Sequence, residues 1–287
     1  MHSDFKDNII CRYGDEGRKW LDRLDIIVND FALKWHLRDL KPLPNLTFNY
    51  VLSGVQNETP VILKIGIDLD LLKKANVLNL FRNHGAVRVI ESCDEALLLE
   101  RCIPGYSLME FFPHREDESI EIITKVIKKL HSLPAYPRPK ITTMKELLGE
   151  LYQPTYIPEY YISKAIEFAE NLLQTPHDTV MHGDLHQDNV IFDASDGNWK
   201  VIDPFGVIGD PVYEFTPFMT NPIDKLWKYD NAVQIVENRI RKFADFGVDP
   251  TRLRQWAFIR SVLCLVWTPE EQNLNRVELV KLFDKIV

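Results

Sequence analysis

The chain of 287 residues has few of the features that mark secreted or membrane-spanning proteins. Its four cysteines, at positions 11, 93, 102 and 264, are scattered and form no C-x-x-C pair. They are therefore expected to be reduced thiols rather than a disulfide framework or a zinc site. The longest apolar run, at 256–267, is interrupted by Arg260 and is too short to cross a bilayer.

Positive charge is also scarce, because 34 lysines and arginines face 42 acidic residues and give a net charge of −8. Nucleic-acid binding normally requires a basic surface, so no such partner is expected. The first residues, MHSDFKDN, lack the apolar stretch of a secretory signal, and a cytoplasmic location is predicted. What is present, 45% hydrophobic and 26% charged residues, is typical of a globular protein.

The first hundred residues combine helical and strand-like patterns. Apolar residues recur at helical spacing over 15–40 and again over 69–83, which predicts two helices. A turn-like segment at 53–58 predicts a hairpin between the first two strands. Short β-branched or apolar runs predict four strands, at 46–52, 60–65, 87–90 and 96–100.

The remainder of the chain is mainly helical in pattern, and two short strands, at 190–192 and 199–202, interrupt it. A sheet-rich segment followed by a helix-rich one predicts an α+β fold with two lobes, 1–101 and 102–287. The helices are predicted at 118–131, 157–173, 229–246, 251–266 and 274–286.

The segment HGDLHQDN, at 182–189, carries the strongest chemical signal. Asp184 follows His182 by two residues and Asn189 follows Asp184 by five, which is the spacing of the kinase catalytic loop H-x-D-x-x-x-x-N. In that loop the carboxylate accepts or orients the proton of the attacking hydroxyl, and the amide oxygen holds a metal ion. Asp184 is therefore predicted to be the catalytic base.

Two more residues stand in kinase order around this loop. Asp203 ends the strand at 199–202, where its carboxylate can hold a Mg²⁺ ion that bridges two phosphates. Lys64 lies in the upstream strand at 60–65, where a lysine alone would often only reach the sheet edge. Taken with the loop and Asp203, Lys64 is predicted to contact the phosphates of a nucleotide.

The apolar run LLLERCIPG, at 97–105, leads into the connection between the predicted lobes. Backbone groups in such a connection can read the edge of an adenine ring. The carbonyl of Glu100 and the N–H of Cys102 are therefore predicted nucleotide contacts, and the alternative is an ordinary linker.

Other interpretations of the loop stay open at this stage. His182, Asp184 and His186 could form the metal cluster of a hydrolase, because alternate residues of an extended strand face the same way. The other histidines show no grouping that would complete such a site. His182 is expected to support the loop by hydrogen bonding, and Asp210 either is a site carboxylate or caps the next helix.

The motifs resemble those of the aminoglycoside phosphotransferase family, which has a protein-kinase-like fold. HGDLHQDNVIF and WKVIDPFGVIGDPVYEF carry the resemblance to the superfamily. Segments similar to the streptomycin 6-phosphotransferase and hydroxyurea-resistance kinase branch are HGAVRVI at 84–90, LLLERCIPGYSL at 97–108 and DPTRLRQWAFIRSVLCLVW at 249–267. The resemblance extends over roughly residues 45–270.

This resemblance implies a small antiparallel-sheet N-lobe, a mainly helical C-lobe, ATP or GTP as phosphoryl donor, and Mg²⁺ as cofactor. By motif, Asn189 and Asp203 are implied as metal ligands and Lys64 as the residue that binds the α- and β-phosphates. Ser53 and Gly54 would lie in the loop that covers the nucleotide, although that segment has no G-x-G-x-x-G.

One position departs from the kinase pattern. The kinase lysine usually pairs with a glutamate of the following helix, and the alignment places Lys74 there. Asp70 is the only acidic residue within 69–83. Either Asp70 substitutes, or Lys64 is held in another way, or activity is weak, and Lys74 is expected to point away from Lys64.

The leading functional prediction is a kinase for a hydroxyl group of a streptomycin-like aminoglycoside. Such substrates are polycations, so carboxylates are expected on the acceptor side, with Glu214, Asp224, Glu270 and Glu271 as candidates. A kinase of the same fold for another small hydroxyl compound, such as choline, homoserine or a sugar, is the close alternative. A catalytically weak kinase-like binding protein is the other alternative, and the sequence leaves the oligomeric state open.

Overall fold

The computed structural model describes residues 3–44, 46–133, 141–153, 156–268 and 274–287. The chain divides into two compact units, Met1–Gly105 and Tyr106–Val287. The division predicted from the sequence, after residue 101, lies close to this boundary. Within the described ranges, no helix is both long enough and apolar enough to cross a membrane.

The first unit consists of a long helix, a shorter one and a five-stranded antiparallel sheet. Helix α1 (Ser3–Lys34) is interrupted at Gly14, whose φ of 56° and ψ of −129° are not helical. Helix α2 (Leu71–Leu80) follows the third strand. The sheet has the order β1-β2-β3-β5-β4 and consists of β1 (Leu37–Pro42), β2 (Asn49–Gln56), β3 (Thr59–Gly66), β4 (Val89–Ser92) and β5 (Ala96–Glu100).

The core of this unit forms where α1 packs on the sheet. Phe5 and Leu24 of α1 are fully buried in the same apolar cluster as Leu63 of β3 and Leu98 of β5. Full burial of such a side chain contributes about 1.5–3 kcal/mol. This shared core fixes the register of β3, the strand that carries Lys64.

The helix predicted over 15–40 is too long at its C-terminal end. Helix α1 ends at Lys34, His36 adopts a φ of 53°, and the chain continues as β1. A positive φ cannot continue a right-handed helix. The spacing of Leu37 and Leu40 fits a helical repeat, which is why the sequence pattern alone missed β1.

The turn of the first hairpin lies later than predicted. Asn57 and Glu58 have φ angles of 46° and 65°, as expected for a two-residue turn between β2 and β3. Ser53 and Gly54 therefore lie inside β2 and not in a loop, contrary to the prediction. Gly54 serves packing there, because a Cβ at this position would come within 2.6 Å of Leu40 Cδ2.

The second unit is mainly helical, as predicted, and holds two three-stranded sheets with the orders β10-β9-β6 and β7-β11-β8. Its helices are α3 (Glu116–Leu130), α4 (Met144–Leu148), α5 (Glu159–Leu173), α6 (Thr216–Thr220), α7 (Ala232–Asp245), α8 (Pro250–Val266) and α9 (Leu274–Asp284). Its strands are β6 (Pro104–Ser107), which begins at the unit boundary, β7 (Thr142–Thr143), β8 (Thr179–Met181), β9 (Val190–Asp193), β10 (Asn198–Val201) and β11 (Val207–Gly209).

Helix α8 is the centre of the second unit and packs against α5, α6, α7 and α9. It begins after Asp249, whose carboxylate accepts hydrogen bonds from the N–H groups of Thr251 and Arg252. Eleven of its seventeen residues are buried, including Arg260. A charge at this depth requires a partner, and α8 holds Arg260 against Asp184.

Candidate active site

The predicted catalytic loop runs from the end of β8 to the start of β9. After Met181 the chain turns at Gly183, which has a φ of 80°. A Cβ on this glycine would approach Val207 Cγ1 to 3.0 Å, so the loop lies close to the neighbouring strand β11. A short 3₁₀ turn, Gln187–Asn189, then leads into β9.

The start of the loop is held by the buried carboxylate of Glu214. Its Oε2 accepts a hydrogen bond from the His182 N–H at 2.7 Å, and its Oε1 accepts one from the Gly183 N–H at 2.9 Å. The side chain is fully buried, and His131 Nε2 lies 3.6 Å from Oε2. The expectation that Glu214 faces a cationic substrate does not fit this burial, because both oxygens already bind the loop backbone.

Replacing Glu214 by glutamine is expected to lower the free energy of unfolding at pH 7 by about 3 kcal/mol, because the amide nitrogen that replaces one carboxylate oxygen cannot accept the hydrogen bond of a loop N–H group and leaves that group buried and unpaired. Burial alone would raise the pKa of Glu214, but His131, with His182 and the Gly183 N–H, lowers it below its ordinary value of 4.5. A lowered folded-state pKa means that this stabilisation is present above pH 4.5 and is lost as the pH falls through the folded-state pKa.

Urea unfolding of wild type and Glu214→Gln at pH 7 and below pH 4.5 measures both effects, and the difference between the two proteins should shrink in acid. The control is Glu237→Gln, which removes one half of a partly exposed ion pair with Arg254. Such a pair contributes about 1 kcal/mol at most. An unchanged unfolding free energy together with a raised KM for the acceptor would instead make Glu214 a substrate contact.

His182 joins two segments of the site through both ring nitrogens. Nε2 lies 2.8 Å from the Ile202 carbonyl oxygen, and Nδ1 lies 3.3 Å from the Asp184 N–H nitrogen. A carbonyl only accepts and an N–H only donates, so the neutral ring with its proton on Nε2 satisfies both contacts. Burial, the largest influence, also lowers the pKa of His182 below its ordinary value, although Glu214 opposes it.

Further backbone bonds bring the segment around Asp203 to the loop. The Ile202 N–H donates to the Asn189 carbonyl at 3.0 Å, and the N–H groups of Phe205 and Gly206 donate to the His182 carbonyl at 3.0 and 2.9 Å. Asp203 lies between these anchored residues with a φ of 55°. Aspartate tolerates this left-handed conformation better than most residues, yet it is still strained, as often occurs at functional sites.

Asn189 and Asp203 fit a Mg²⁺ ion by the chemistry of their oxygen atoms. The Asn189 Nδ2 donates to the Asp184 carbonyl at 2.8 Å, so the amide oxygen is the atom left for a cation. Asp203 adds a hard carboxylate, and Mg²⁺ usually takes only one or two protein ligands besides phosphates and water. In the described ranges no group of three or more His, Cys, Asp or Glu could hold a metal.

Asp184 is bound on one side and open on the other. The Arg260 Nη2 donates to its Oδ1 at 2.6 Å, while the aspartate side chain keeps 37% of its surface exposed. Burial alone would raise the pKa of Asp184, but Arg260, followed by His186 and His182, lowers it below the ordinary value of 3.8. Such a weak base is suited to orienting a hydroxyl, in line with the positioning character of phosphoryl-transfer catalysis.

Sequence reasoning missed the role of Arg260 in this site. The signal was present, because a single arginine interrupts the apolar run 256–267. A lone charge in an apolar helix has to find a partner inside the fold. The sequence could show that a partner was needed, but not that it was Asp184.

The other residues predicted on the acceptor side are placed as follows. Asp224 Oδ1 lies 3.3 Å from Arg276 Nε, and its side chain is 60% exposed. Glu270 and Glu271 lie outside the described residues. Asp210 accepts a hydrogen bond from the Val212 N–H at 3.0 Å, which is the capping role considered from the sequence.

The predicted nucleotide contacts all belong to the first unit. Lys64 lies in β3 and is 8% exposed. Lys74, at the position of the kinase glutamate, forms an ion pair with Asp70 within its own helix segment at 3.8 Å. Glu100 ends β5, and its Oε1 accepts a hydrogen bond from the Arg88 N–H at 2.9 Å. The contact of its backbone carbonyl with a nucleotide stays a prediction. The N–H of Cys102, a residue that is 4% exposed, likewise stays a predicted contact.

Comparison with solved structures defines the fold as kinase-like. The choline kinase LicA from Streptococcus pneumoniae superposes with a TM-score of 0.67 at 12% identity, covering 90% of this chain and 98% of that one. The aminoglycoside phosphotransferase APH(4)-Ia, in a ternary complex with ADP and hygromycin B, gives a TM-score of 0.65 at 14% identity, with 90% and 96% covered. The predicted α+β, protein-kinase-like fold is confirmed.

A family model narrows this class further. Residues 34–272 match the model of the aminoglycoside/hydroxyurea antibiotic resistance kinases, and the chain belongs to that family. Streptomycin 3''-kinase of Klebsiella pneumoniae is 27% identical over 241 residues, covering 82% of this chain and 89% of the relative. Streptomycin 6-kinase of Streptomyces griseus is 24% identical over 274 residues, with 90% and 87% covered. The family predicted from the motifs is therefore confirmed.

Proposed function

We propose that this chain transfers the γ-phosphoryl group of ATP to a hydroxyl group of a streptomycin-like aminoglycoside. The observation that carries the proposal is the arrangement of the loop, in which the carboxylate of Asp184 is partly exposed, Asn189 bonds the Asp184 carbonyl, and backbone bonds anchor the residues on both sides of Asp203. The streptomycin kinases among its relatives support the acceptor class, and the ADP complex of APH(4)-Ia supports an adenine nucleotide as donor. The proposal also includes GTP as an alternative donor and a cytoplasmic location for the protein.

In the proposed reaction the acceptor oxygen attacks the γ-phosphorus. A new phosphorus–oxygen bond forms, the bond from the γ-phosphorus to its bridging oxygen breaks, and ADP leaves. Asp184 orients the acceptor hydroxyl and takes its proton late, which agrees with its lowered pKa. A Mg²⁺ ion held by Asn189 and Asp203 would offset the charge of the phosphates.

The nucleotide contacts in the proposal come from the first unit. Lys64, the only lysine of β3, is assigned to the α- and β-phosphates because it stands in kinase order upstream of the loop. Ser53 and Gly54 of β2, the Glu100 carbonyl and the Cys102 N–H are assigned to the nucleotide by the same family pattern. Asp224, Glu270 and Glu271 are assigned to a cationic acceptor.

A smaller, neutral acceptor is the second candidate, and the placement of two of the predicted acceptor carboxylates favours it. Of the four carboxylates expected to face a polycation, Glu214 is buried and Asp224 already pairs with Arg276. Hydroxyurea, which the family description names, carries a hydroxyl group and no positive charge. The two candidates differ in charge, because an aminoglycoside brings several positive charges to the acceptor side and hydroxyurea brings none.

One experiment separates these functions. The protein is incubated with Mg²⁺, ATP or GTP and either streptomycin, another aminoglycoside, hydroxyurea or choline, and the product is identified by the mass of one added phosphoryl group. Transfer to streptomycin is expected, with ATP as the better donor. Transfer only to hydroxyurea would support the second candidate. Nucleotide binding without transfer to any acceptor would support the alternative of a kinase-like binding protein.

A further inference from the structure

Arg260 is the only charged residue between positions 256 and 266 of the chain. Its guanidinium group meets the catalytic loop twice, because Nη2 donates to Asp184 Oδ1 at 2.6 Å and Nη1 lies 3.4 Å from the Gly183 carbonyl oxygen. Nη1 also donates to the Tyr213 hydroxyl at 3.3 Å. One side chain of α8 therefore binds both the backbone and the carboxylate of the loop.

The guanidinium is further restrained by Trp267, the C-cap residue that follows α8. The Arg260 Cζ lies 5.2 Å from the centre of the indole ring, within the range of a cation–π contact. The planar group is thus held by hydrogen bonds along its edge and by an aromatic ring at its face. A cation that is fixed before the substrate arrives does not need to reorganise during the reaction.

Stability alone does not explain a buried arginine at this position. Desolvating a charge costs several kcal/mol, and replacing both members of a buried ion pair by apolar side chains of similar volume often leaves a protein equally or more stable. The Arg260 Nε also finds no hydrogen-bond acceptor among the described residues, which adds to the cost. The ion pair is better explained by its effect on Asp184.

We propose that Arg260 is a positioning residue for phosphoryl transfer, which by binding Oδ1 of Asp184 turns Oδ2 toward the acceptor hydroxyl. The inference rests on the proposed function, in which Asp184 meets that hydroxyl. His186 Nε2 stands 3.8 Å from Oδ2, too far for a hydrogen bond, so Oδ2 is open to a substrate. Without Arg260 the carboxylate rotates more freely, and fewer bound complexes are aligned for attack.

The expected result for Arg260→Met is a kcat lower by about 10- to 100-fold, with KM values for nucleotide and acceptor within about threefold of wild type, because misalignment affects the transfer step more than binding. Arg260→Lys should recover part of the loss, since an ammonium can bind Oδ1 but lacks the planar fork. The control is Arg254→Met on the same helix, which removes a partly exposed ion pair with Glu237 and should leave kcat unchanged.

A double-mutant cycle with Asp184→Asn tests whether Arg260 acts through Asp184. If it does, adding Arg260→Met to Asp184→Asn lowers kcat little further, whereas independent roles give multiplied losses. Multiplied losses, or a kcat of Arg260→Met within about twofold of wild type, would overturn the inference. Rises in KM with an unchanged kcat would also overturn it.

Replacement variants and a second readout cover the cases in which Arg260→Met does not fold or the wild type transfers to no acceptor. Should Arg260→Met fail to fold, Arg260→Lys and Tyr213→Phe take its place, because the latter removes one of the groups that fix the guanidinium. Both must then lower kcat with a retained melting temperature, and an unchanged kcat in either one overturns the inference. If wild type phosphorylates none of the acceptors, the proposed function fails, and the same cycle is read on Mg²⁺-dependent nucleotide hydrolysis, with water as the acceptor.

Discussion

Asp184→Asn is expected to lower kcat by about 10²- to 10⁴-fold while the Kd for the Mg²⁺–ATP complex stays within about threefold. Asparagine has nearly the same shape, and its oxygen can still accept the hydrogen bond from Arg260 Nη2. The amide nitrogen that replaces Oδ2 cannot accept the proton of an acceptor hydroxyl. The change therefore removes the chemical role of the side chain and leaves its support intact.

Single-turnover transfer measures the first quantity, and nucleotide titration by calorimetry measures the second. The matched control is Asp188→Asn in the same loop, whose exposed carboxylate bonds the Ser107 hydroxyl at 3.2 Å. This variant should keep a kcat within about threefold of wild type, because a single exposed hydrogen bond contributes little. A near-normal kcat in Asp184→Asn would remove Asp184 from the role of base.

Asp203→Asn is expected to lower kcat at a fixed, moderate Mg²⁺ concentration by at least about 100-fold, since even residues behind a metal ligand often cost 10- to 100-fold. The φ of 55° is as acceptable for asparagine as for aspartate, so the backbone should keep its conformation. The loss should be smaller at high Mg²⁺, because the neutral amide oxygen still binds a cation weakly.

A Mg²⁺ titration of kcat in wild type and variant checks this prediction, with chelator-treated protein as the zero point. Asp196→Asn, at an exposed carboxylate in the turn between β9 and β10, serves as the control and should titrate like wild type. Identical Mg²⁺ dependence for Asp203→Asn and wild type would exclude Asp203 as a metal ligand.

The sequence was informative where chemistry depends on spacing along the chain. The loop 182–189 was recognisable because H-x-D-x-x-x-x-N has a fixed spacing, and Asp203 was singled out because it follows a short apolar strand downstream of that loop. The long helices α3, α5, α7 and α8 were predicted to within a few residues, because their apolar faces repeat over several turns. Strands of two or three residues, such as β7 and β11, are too short to show any period.

Carboxylates were the least predictable part of the site. Glu214 looked like a surface acid from the sequence, yet the fold buries it under the loop, where it binds two backbone N–H groups. Nothing in a single sequence distinguishes an acid that faces solvent from one that holds a main chain. The role of Arg260 was missed for a similar reason, because its partner Asp184 lies 76 positions away in the sequence.

The bonds that hold the catalytic loop have a consequence for how such a kinase changes over evolutionary time. Glu214, His182 and the backbone of Phe205 and Gly206 fix the loop without involving the carboxylates of Asp184 or Asp203. Mutations on the acceptor side can therefore accumulate while the transfer machinery stays assembled. Two relatives are named for different positions of streptomycin, 3'' and 6. Such a difference is expected if the acceptor side can change independently of the loop. New acceptors can therefore be acquired by substitutions on the acceptor side, without changes in the loop itself.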